Sequence, residues 1–194
     1  MISVIIPTLN DERRLVPTLA ALVPGAAAGL IVEAIVADGG STDETAAVAD
    51  MAGCRMIDGP ADPGLRLTQA AETARAPWLM FKEPGVVLDD GWIRDVRAFL
   101  DQVARRGEID RRAAVFAPGV DDRGLRAALR GLALRAGLTL GQGPHPSLGL
   151  LISARHYRGL GGHRAGRLPH RQLGRRIGRR RISVLRSRAT ALDL

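Results

Sequence analysis

The sequence predicts an α/β fold with a mainly parallel sheet flanked by helices. Two β-branched runs, residues 2–6 and 31–37, each end abruptly in small polar residues and pass into a helical pattern. Strand-like and helix-like segments keep alternating through the first hundred residues, as βαβ units require. No internal repeat or linker composition interrupts the chain, so 1–194 reads as a single domain.

Residues 2–6 form a continuous apolar run, the pattern of a strand buried on both faces. Leu15, Leu19, Leu22 and Val23 then recur at helical spacing, with Asp11 as N-cap and Pro17 marking a late start or an early kink. Residues 31–37 are the second strand. Thr42 or Ser41 caps a helix running to about Met51, with Glu44 in its first turn. Residues 54–57 read as a third strand, 65–75 as a helix opened by Pro63-Gly64, and 78–81 as a fourth strand. Asp89 or Asp90 caps a longer helix with Trp92, Ile93, Val96, Phe99, Leu100 and Val103 on one face. The second half is less regular. A strand is expected at 113–117, an amphipathic helix between Asp122 and Leu140, a Gly/Pro loop at 141–146 and a strand at 148–152. Helices at 154–160 and near 169–177 and a strand at 182–185 close the chain.

Composition narrows the function classes. Aromatic residues are only 3%, so the core rests on Leu, Ile, Val and Ala. The single cysteine, Cys54, excludes an intramolecular disulfide and a thiolate zinc cluster and fits a reducing compartment. No basic, apolar leader opens the chain, and no apolar run approaches the ~18–20 residues that span a bilayer, so a cytoplasmic protein is expected. The net charge of +8 is uneven. Residues 155–188 carry 12 arginines and no acidic residue, while residues 1–154 are net acidic. Such a tail suits a solvated face, a diphosphate or an anionic membrane surface. With Tyr157 as its one aromatic, base stacking is poorly supplied and nucleic acid is not the expected partner.

The polar loops carry the chemistry. Neither G-x-G-x-x-G after the first strand nor a P-loop occurs, which argues against a nicotinamide enzyme or P-loop ATPase. Pro7, Thr8, Asn10 and Asp11 instead offer small side chains that read a base or ribose, or that close a turn and a helix start. In Asp38-Gly39-Gly40-Ser41-Thr42-Asp43, Asp38 ends a buried strand, where a carboxylate needs a donor such as a nucleobase N–H. Gly39 and Gly40 let a ligand approach the backbone, and Ser41, Thr42 and Asp43 can cap the next helix. Two such loops at the carboxyl ends of parallel strands suggest a nucleotide crevice.

The stretches Ser-Val-Ile-Ile-Pro-Thr-Leu-Asn-Asp11 and Val-Ala-Asp-Gly-Gly-Ser-Thr-Asp-Glu44 resemble the amino-terminal half of family 2 glycosyltransferases. Trp78–Phe81, Leu88-x-x-Gly91-Trp92 and Leu160-Gly-Gly162 are similar to later landmarks of that family. The resemblance is closest to small bacterial members. It implies a GT-A, Rossmann-like fold with a small antiparallel addition in the second half. It also implies a nucleotide-sugar donor, UDP- or GDP-linked, on Pro7, Thr8, Asp11 and Asp38. The division expected is a nucleotide-binding half, 1–105, and an acceptor half, 106–194, with the arginine-rich tail.

Three motifs depart from the family. Where it keeps an Asp that binds Mn or Mg, this chain has Gly85, within Glu83-Pro84-Gly85-Val86. Glu83 offers one carboxylate, and a hard cation wants several oxygens. The family's general-base Asp is replaced at Pro169-His170, and its Arg-x-x-Asn region is best matched by Arg66-Leu67-Thr68. Two readings follow. The chain transfers sugar without metal, with Arg66, Arg175, Arg176 and Arg179 neutralising the diphosphate and His170 as base. Alternatively, it is a degenerate relative that binds a nucleotide or a partner protein.

Overall fold

A computed structural model describes residues 1–119, 145–166 and 168–192. The helix expected between Asp122 and Leu140, and the loop up to residue 144, lie outside the described residues.

One mixed sheet organises the chain. Its eight strands are β1 (Ile2–Thr8), β2 (Ile31–Asp38), β3 (Arg55–Asp58), β4 (Trp78–Phe81), β5 (Val86–Leu88), β6 (Ala113–Pro118), β7 (Leu150–Ser153) and β8 (Ile182–Ala191). They lie in the order β3-β2-β1-β4-β7-β6-β8-β5. The first four pair in parallel. The second half adds β7 antiparallel to β4 and β6, while β8 runs parallel to β6 and antiparallel to β5. Every residue of β1 is buried, as its unbroken apolar run predicts for a central strand.

Helices cover both faces. On one, α1 (Glu12–Ala27), α2 (Thr45–Met51) and α4 (Trp92–Arg105) pack Leu15, Leu22, Ala49, Trp92, Val96 and Phe99 against Val4, Ile6 and Met80. On the other, α3 (Pro63–Thr73), α5 (Ala154–Gly159) and α6 (Pro169–Ile177) set Leu67, Ala70, Tyr157, Leu173 and Ile177 against Ile5, Leu79 and Phe81. Gly25 permits the α1–α4 contact, because a Cβ there would sit 2.5 Å from the Trp92 ring.

The structure differs from the sequence expectations mainly at element ends. Pro17 lies inside α1, which begins at Glu12. Asp11 is the α1 N-cap residue, yet its side chain caps no helix N–H and instead accepts from Leu9 N at 3.0 Å and pairs with Arg14. Neither Ser41 nor Thr42 caps α2. Asp43 accepts from Thr45 N, and Glu12 accepts from Glu44 N. Asp62 caps α3 by accepting from Gly64 N and Leu65 N. Neither Asp89 nor Asp90 caps α4, whose N-cap is Gly91 in the left-handed region. Asp89 instead exchanges hydrogen bonds with the Arg188 backbone, pinning β8 beside β5. Strand β5 was not anticipated, and β8 runs six residues beyond its expected end.

Candidate functional site

The loops after β1 and β2 meet at one end of the parallel strands and bind each other closely. Asn10 adopts φ 54°, a left-handed conformation that asparagine tolerates. From there its backbone N–H donates to Ser41 Oγ at 2.8 Å, and its side-chain oxygen accepts from Thr42 N at 2.8 Å. Asp11 N donates to Thr45 Oγ1, and Asp43 accepts from Glu12 N at the start of α1. The starts of α1 and α2 are therefore capped across the gap by each other's loops.

Asp38 is the anchor of this clasp. Its Oδ1 accepts from Thr8 Oγ1 at 2.8 Å and Ser41 Oγ at 2.5 Å, and its Oδ2 accepts from Gly40 N at 2.9 Å and Ser41 N at 2.7 Å. Burial works to raise its pKa, and the bonds from Ser41, Thr8 and Gly40 outweigh it, holding the carboxyl below the usual aspartate range. The donors that a buried Asp38 needs thus come from its own loops. The two glycines also divide their work differently from the expected ligand approach. Gly40 has φ 96° and open space around its missing side chain. A Cβ at Gly39 would collide with Arg66 Nη1, so Gly39 makes room for an arginine of α3.

Beside this clasp lies a cleft of about 220 Å³. Pro7 lines it from the end of β1, Asp11 from the loop that follows, Arg14 from α1, Arg66 from α3, Glu83 from the segment after β4, and His170 from α6. Arg66 is 7% exposed, its Nη1 donates to Ala61 O at 2.9 Å, and its Nε has no partner. Arg14 was not anticipated as a site residue. It occupies the space beside Gly85, where a Cβ would lie 2.9 Å from Arg14 Nε. Gly85 N also donates to Arg14 O at 2.8 Å. The other arginines proposed for phosphate do not line the cleft. Arg175 and Arg179 are exposed. Arg176 is a structural clamp: its Nη1 donates to Leu160 O and its Nη2 donates to Gly162 O at 2.6 Å.

Glu83 and His170, far apart in sequence, meet with Oε1 and Nε2 3.4 Å apart. The imidazole is 5% exposed, and its Nε2 makes no hydrogen bond among the described residues. Behind it runs a chain of polar atoms that sequence reasoning missed. His170 Nδ1 is 3.2 Å from His163 Nε2, and His163 Nδ1 is 2.8 Å from Tyr157 Oη. Tyr157 Oη also accepts from His163 N at 3.0 Å. Burial above all, with the neighbouring His170 ring and the Arg176 guanidinium, pushes His163 well below the ordinary histidine pKa. Burial pushes Tyr157 up.

A divalent cation of the kind the family resemblance implies does not fit these residues. Among the described residues no group of three His, Cys, Asp or Glu side chains converges on a point. Gly85 brings no ligand atom, and Arg14 fills the adjoining space with positive charge. Among the described residues no helix is long and apolar enough to cross a membrane.

Comparison with known proteins agrees with this architecture. Glucosyl-3-phosphoglycerate synthase from Mycobacterium tuberculosis, solved in complex with phosphoglyceric acid, superposes with TM-score 0.68 at 21% identity, covering 100% of this chain and 72% of that one. TarS of S. aureus, residues 1–349 in complex with UDP-GlcNAc, gives TM-score 0.68 at 19% identity, covering 100% of this chain and 59% of that one. A longer TarS structure gives TM-score 0.70 at 17% identity, and this chain spans 36% of it. No curated protein sequence matches. These likenesses establish the fold, and the glycosyl transferase family 2 model matches residues 3–176. The chain therefore belongs to glycosyl transferase family 2.

Proposed function

We propose that the cleft binds a nucleotide sugar and transfers the sugar to an acceptor hydroxyl without a divalent metal. The observation that carries this reading is the meeting of Glu83 and His170 at 3.4 Å in a cleft also lined by Arg14 and Arg66. Sugar transfer needs a group to take the acceptor proton and positive charge for the departing diphosphate. In the proposed step the acceptor O–H bond breaks and its proton passes to the Glu83–His170 pair. The freed oxygen bonds the anomeric carbon. The sugar–phosphate bond breaks, and its electrons leave on the nucleoside diphosphate beside Arg14 and Arg66.

Related proteins support the donor class. The mycobacterial synthase has been solved with UDP-glucose and Mn2+, and TarS with UDP-GlcNAc. The nucleotide sits, in this reading, on the 1–105 half with Pro7 and Asp11 at its edge, while Thr8, expected at that edge, is buried and donates to Asp38. Asp38 and Asn10 shape that edge through the clasp, and the 106–194 half presents the acceptor. The exposed Arg175, Arg179, Arg186 and Arg188 suit a peripheral contact with an anionic membrane that carries the acceptor.

A second reading has its own observation. The acceptors of Asp38 and the side-chain oxygen of Asn10 are already engaged within the chain, as in a protein that keeps the fold as a nucleotide-binding or scaffold relative. Assays of transfer and donor hydrolysis in EDTA, across UDP- and GDP-sugars, separate the two. Turnover in EDTA supports the transferase. Nucleoside diphosphate binding without turnover supports the nucleotide-binding relative, and neither result leaves the scaffold role.

A further inference from the structure

The chain of atoms behind His170 has a direction. Tyr157, His163 and His170 are 2%, 3% and 5% exposed, so no bulk water supplies missing partners. A neutral imidazole carries one N–H, so its two nitrogens take opposite roles. A neutral His163 therefore passes on whatever role Tyr157 imposes. If Tyr157 donates to His163 Nδ1, then His163 Nε2–H donates to His170 Nδ1, and the remaining proton of a neutral His170 lies on Nε2, facing Glu83. If the order is reversed, Tyr157 donates to Thr68 Oγ1, 3.2 Å away, and His170 presents a bare Nε2 lone pair to Glu83 Oε1.

For a neutral His170, the carboxylate decides between the two. A lone pair held 3.4 Å from a carboxylate oxygen is repelled, whereas an N–H there is attracted. With the Thr68 hydroxyl donating to His163 O at 2.9 Å, the first order leaves the 3.2 Å Thr68–Tyr157 contact without a hydrogen, a neutral contact that costs less than a lone pair facing a carboxylate. We propose that Tyr157 and His163 are positioning residues that hold His170 as the Nε2–H tautomer, so that Glu83 is the group at the cleft that accepts a proton. Its functional meaning rests on the transferase reading above: Glu83 Oε takes the acceptor's proton, and His170 orients Glu83. Burial keeps His163 neutral and Tyr157 protonated, the states that let the pair relay a single orientation. Arg176 contributes by setting a fixed positive charge near His163.

Nitrogen-15 spectra of histidine-labelled protein near pH 7.5 test the tautomers directly, since the chain has only four histidines. The expected result is Nε2–H at both His163 and His170. A bare or doubly protonated ring at His170 overturns the proposal. Tyr157→Phe removes the first donor and is expected to lower the His170 Nε2–H to Nδ1–H ratio by about tenfold. His163→Gln keeps an amide donor near the position of Nε2 and is expected to hold the ratio, while His163→Leu loses it. Circular dichroism melts of each variant separate this from packing. A packing role shifts Tm and leaves the tautomer unchanged, which overturns the proposal. Donor hydrolysis by Glu83→Gln tests the transfer reading separately, with a loss of about 10²–10⁴-fold expected. If the tautomers are as proposed but wild-type protein turns over no donor, the transfer reading falls and the relay stands.

Discussion

Lys82 should govern how the stability of this protein depends on pH. It is the only lysine among 28 basic residues, it is 1% exposed, and its Nζ has no hydrogen-bond partner among the described residues. The ammonium lies 5.9 Å from the centre of the Phe116 ring. Burial lowers its pKa from 10.5 to about 7, against the pull of Glu83. An arginine could not shed its proton there, whereas a lysine can. Between about pH 7 and 10.5 the unfolded chain holds a proton that the folded chain has released. The unfolded state then binds more protons, and stability rises with pH through that window. Below it both states are charged and the folded state bears the full penalty. At ~1.4 kcal/mol per pH unit, the gap amounts to about 5 kcal/mol. Lys82→Met keeps the length of the side chain and removes the charge. Urea denaturation at pH 6 and pH 9.5 reads the difference. The variant should be more stable than wild type by about 3–5 kcal/mol at pH 6, and the margin should shrink by most of that at pH 9.5. A variant less stable at pH 6, or a margin unchanged by pH, refutes the reasoning.

Other substitutions probe the clasp and the cleft. Asp38→Asn loses an acceptor at a position receiving four donors and should cost about 1–3 kcal/mol by thermal or urea unfolding. Gly39→Ala drives a methyl group into Arg66 and should cost about 1–3 kcal/mol while weakening nucleoside diphosphate binding measured by calorimetry. Arg14→Ala should weaken diphosphate binding in EDTA by about tenfold while leaving Tm nearly unchanged, since its pair with Asp11 is partly exposed. Sedimentation with anionic vesicles should fall as salt rises, and charge reversal at Arg186 and Arg188 should weaken it at low salt.

Much of the fold was legible because its signals are local. The apolar runs of β1, β2 and β4 identify buried parallel strands without help from the rest of the chain. Strand β5 carried no such signal. Its three residues pair only with β8, about a hundred positions away. Beyond Leu185, β8 buries Ser187 and Ala189 while Arg186 and Arg188 face out, so its alternation is real but its buried side is too small to read as apolar. The caps expected of Ser41 and Thr42 failed for a related reason, while Asp43 does accept from Thr45 N as expected. Asp43 and Glu12 each serve the other's helix, a trade that exists only once the two loops are side by side.

The candidate site was legible where its residues stood beside recognisable landmarks. Glu83 and His170 could be placed by counting from neighbouring motifs, and the structure brings them together. Arg14 sits next to Arg13 on a helix turn, and nothing in the local sequence separates the one that reaches the cleft. In the sequence Tyr157 stands out only as the one aromatic of the arginine-rich tail, and His163 belongs to no motif. The faint signal was polarity: two groups able to hydrogen-bond, close to a third histidine, in a segment that contributes buried apolar residues on both sides.

The exchange at Gly85 and Arg14 explains how such a site loses one kind of chemistry without losing charge balance. A side chain at Gly85 would have to start 2.9 Å from Arg14 Nε and adopt φ 77°, a conformation unfavourable for any residue with a Cβ. A metal-binding carboxylate there and Arg14 in its present place therefore exclude one another. A carboxylate contributes a negative charge that a divalent ion must first offset before it can favour a diphosphate. A guanidinium contributes positive charge directly, with paired donors matched to phosphate oxygens. Arg14 and Arg66 together bring two positive charges to the cleft walls, the formal charge of one divalent cation. They differ from a cation in being fixed to α1 and α3, so diphosphate affinity in this reading depends on how firmly those helices are held. The clasp around Asp38 supplies that hold for both. It caps the start of α1 through Asp43, and its Gly39 leaves the space that Arg66 occupies. On this argument the loops that resemble a nucleotide site act first as the brace for the charges that would bind the diphosphate.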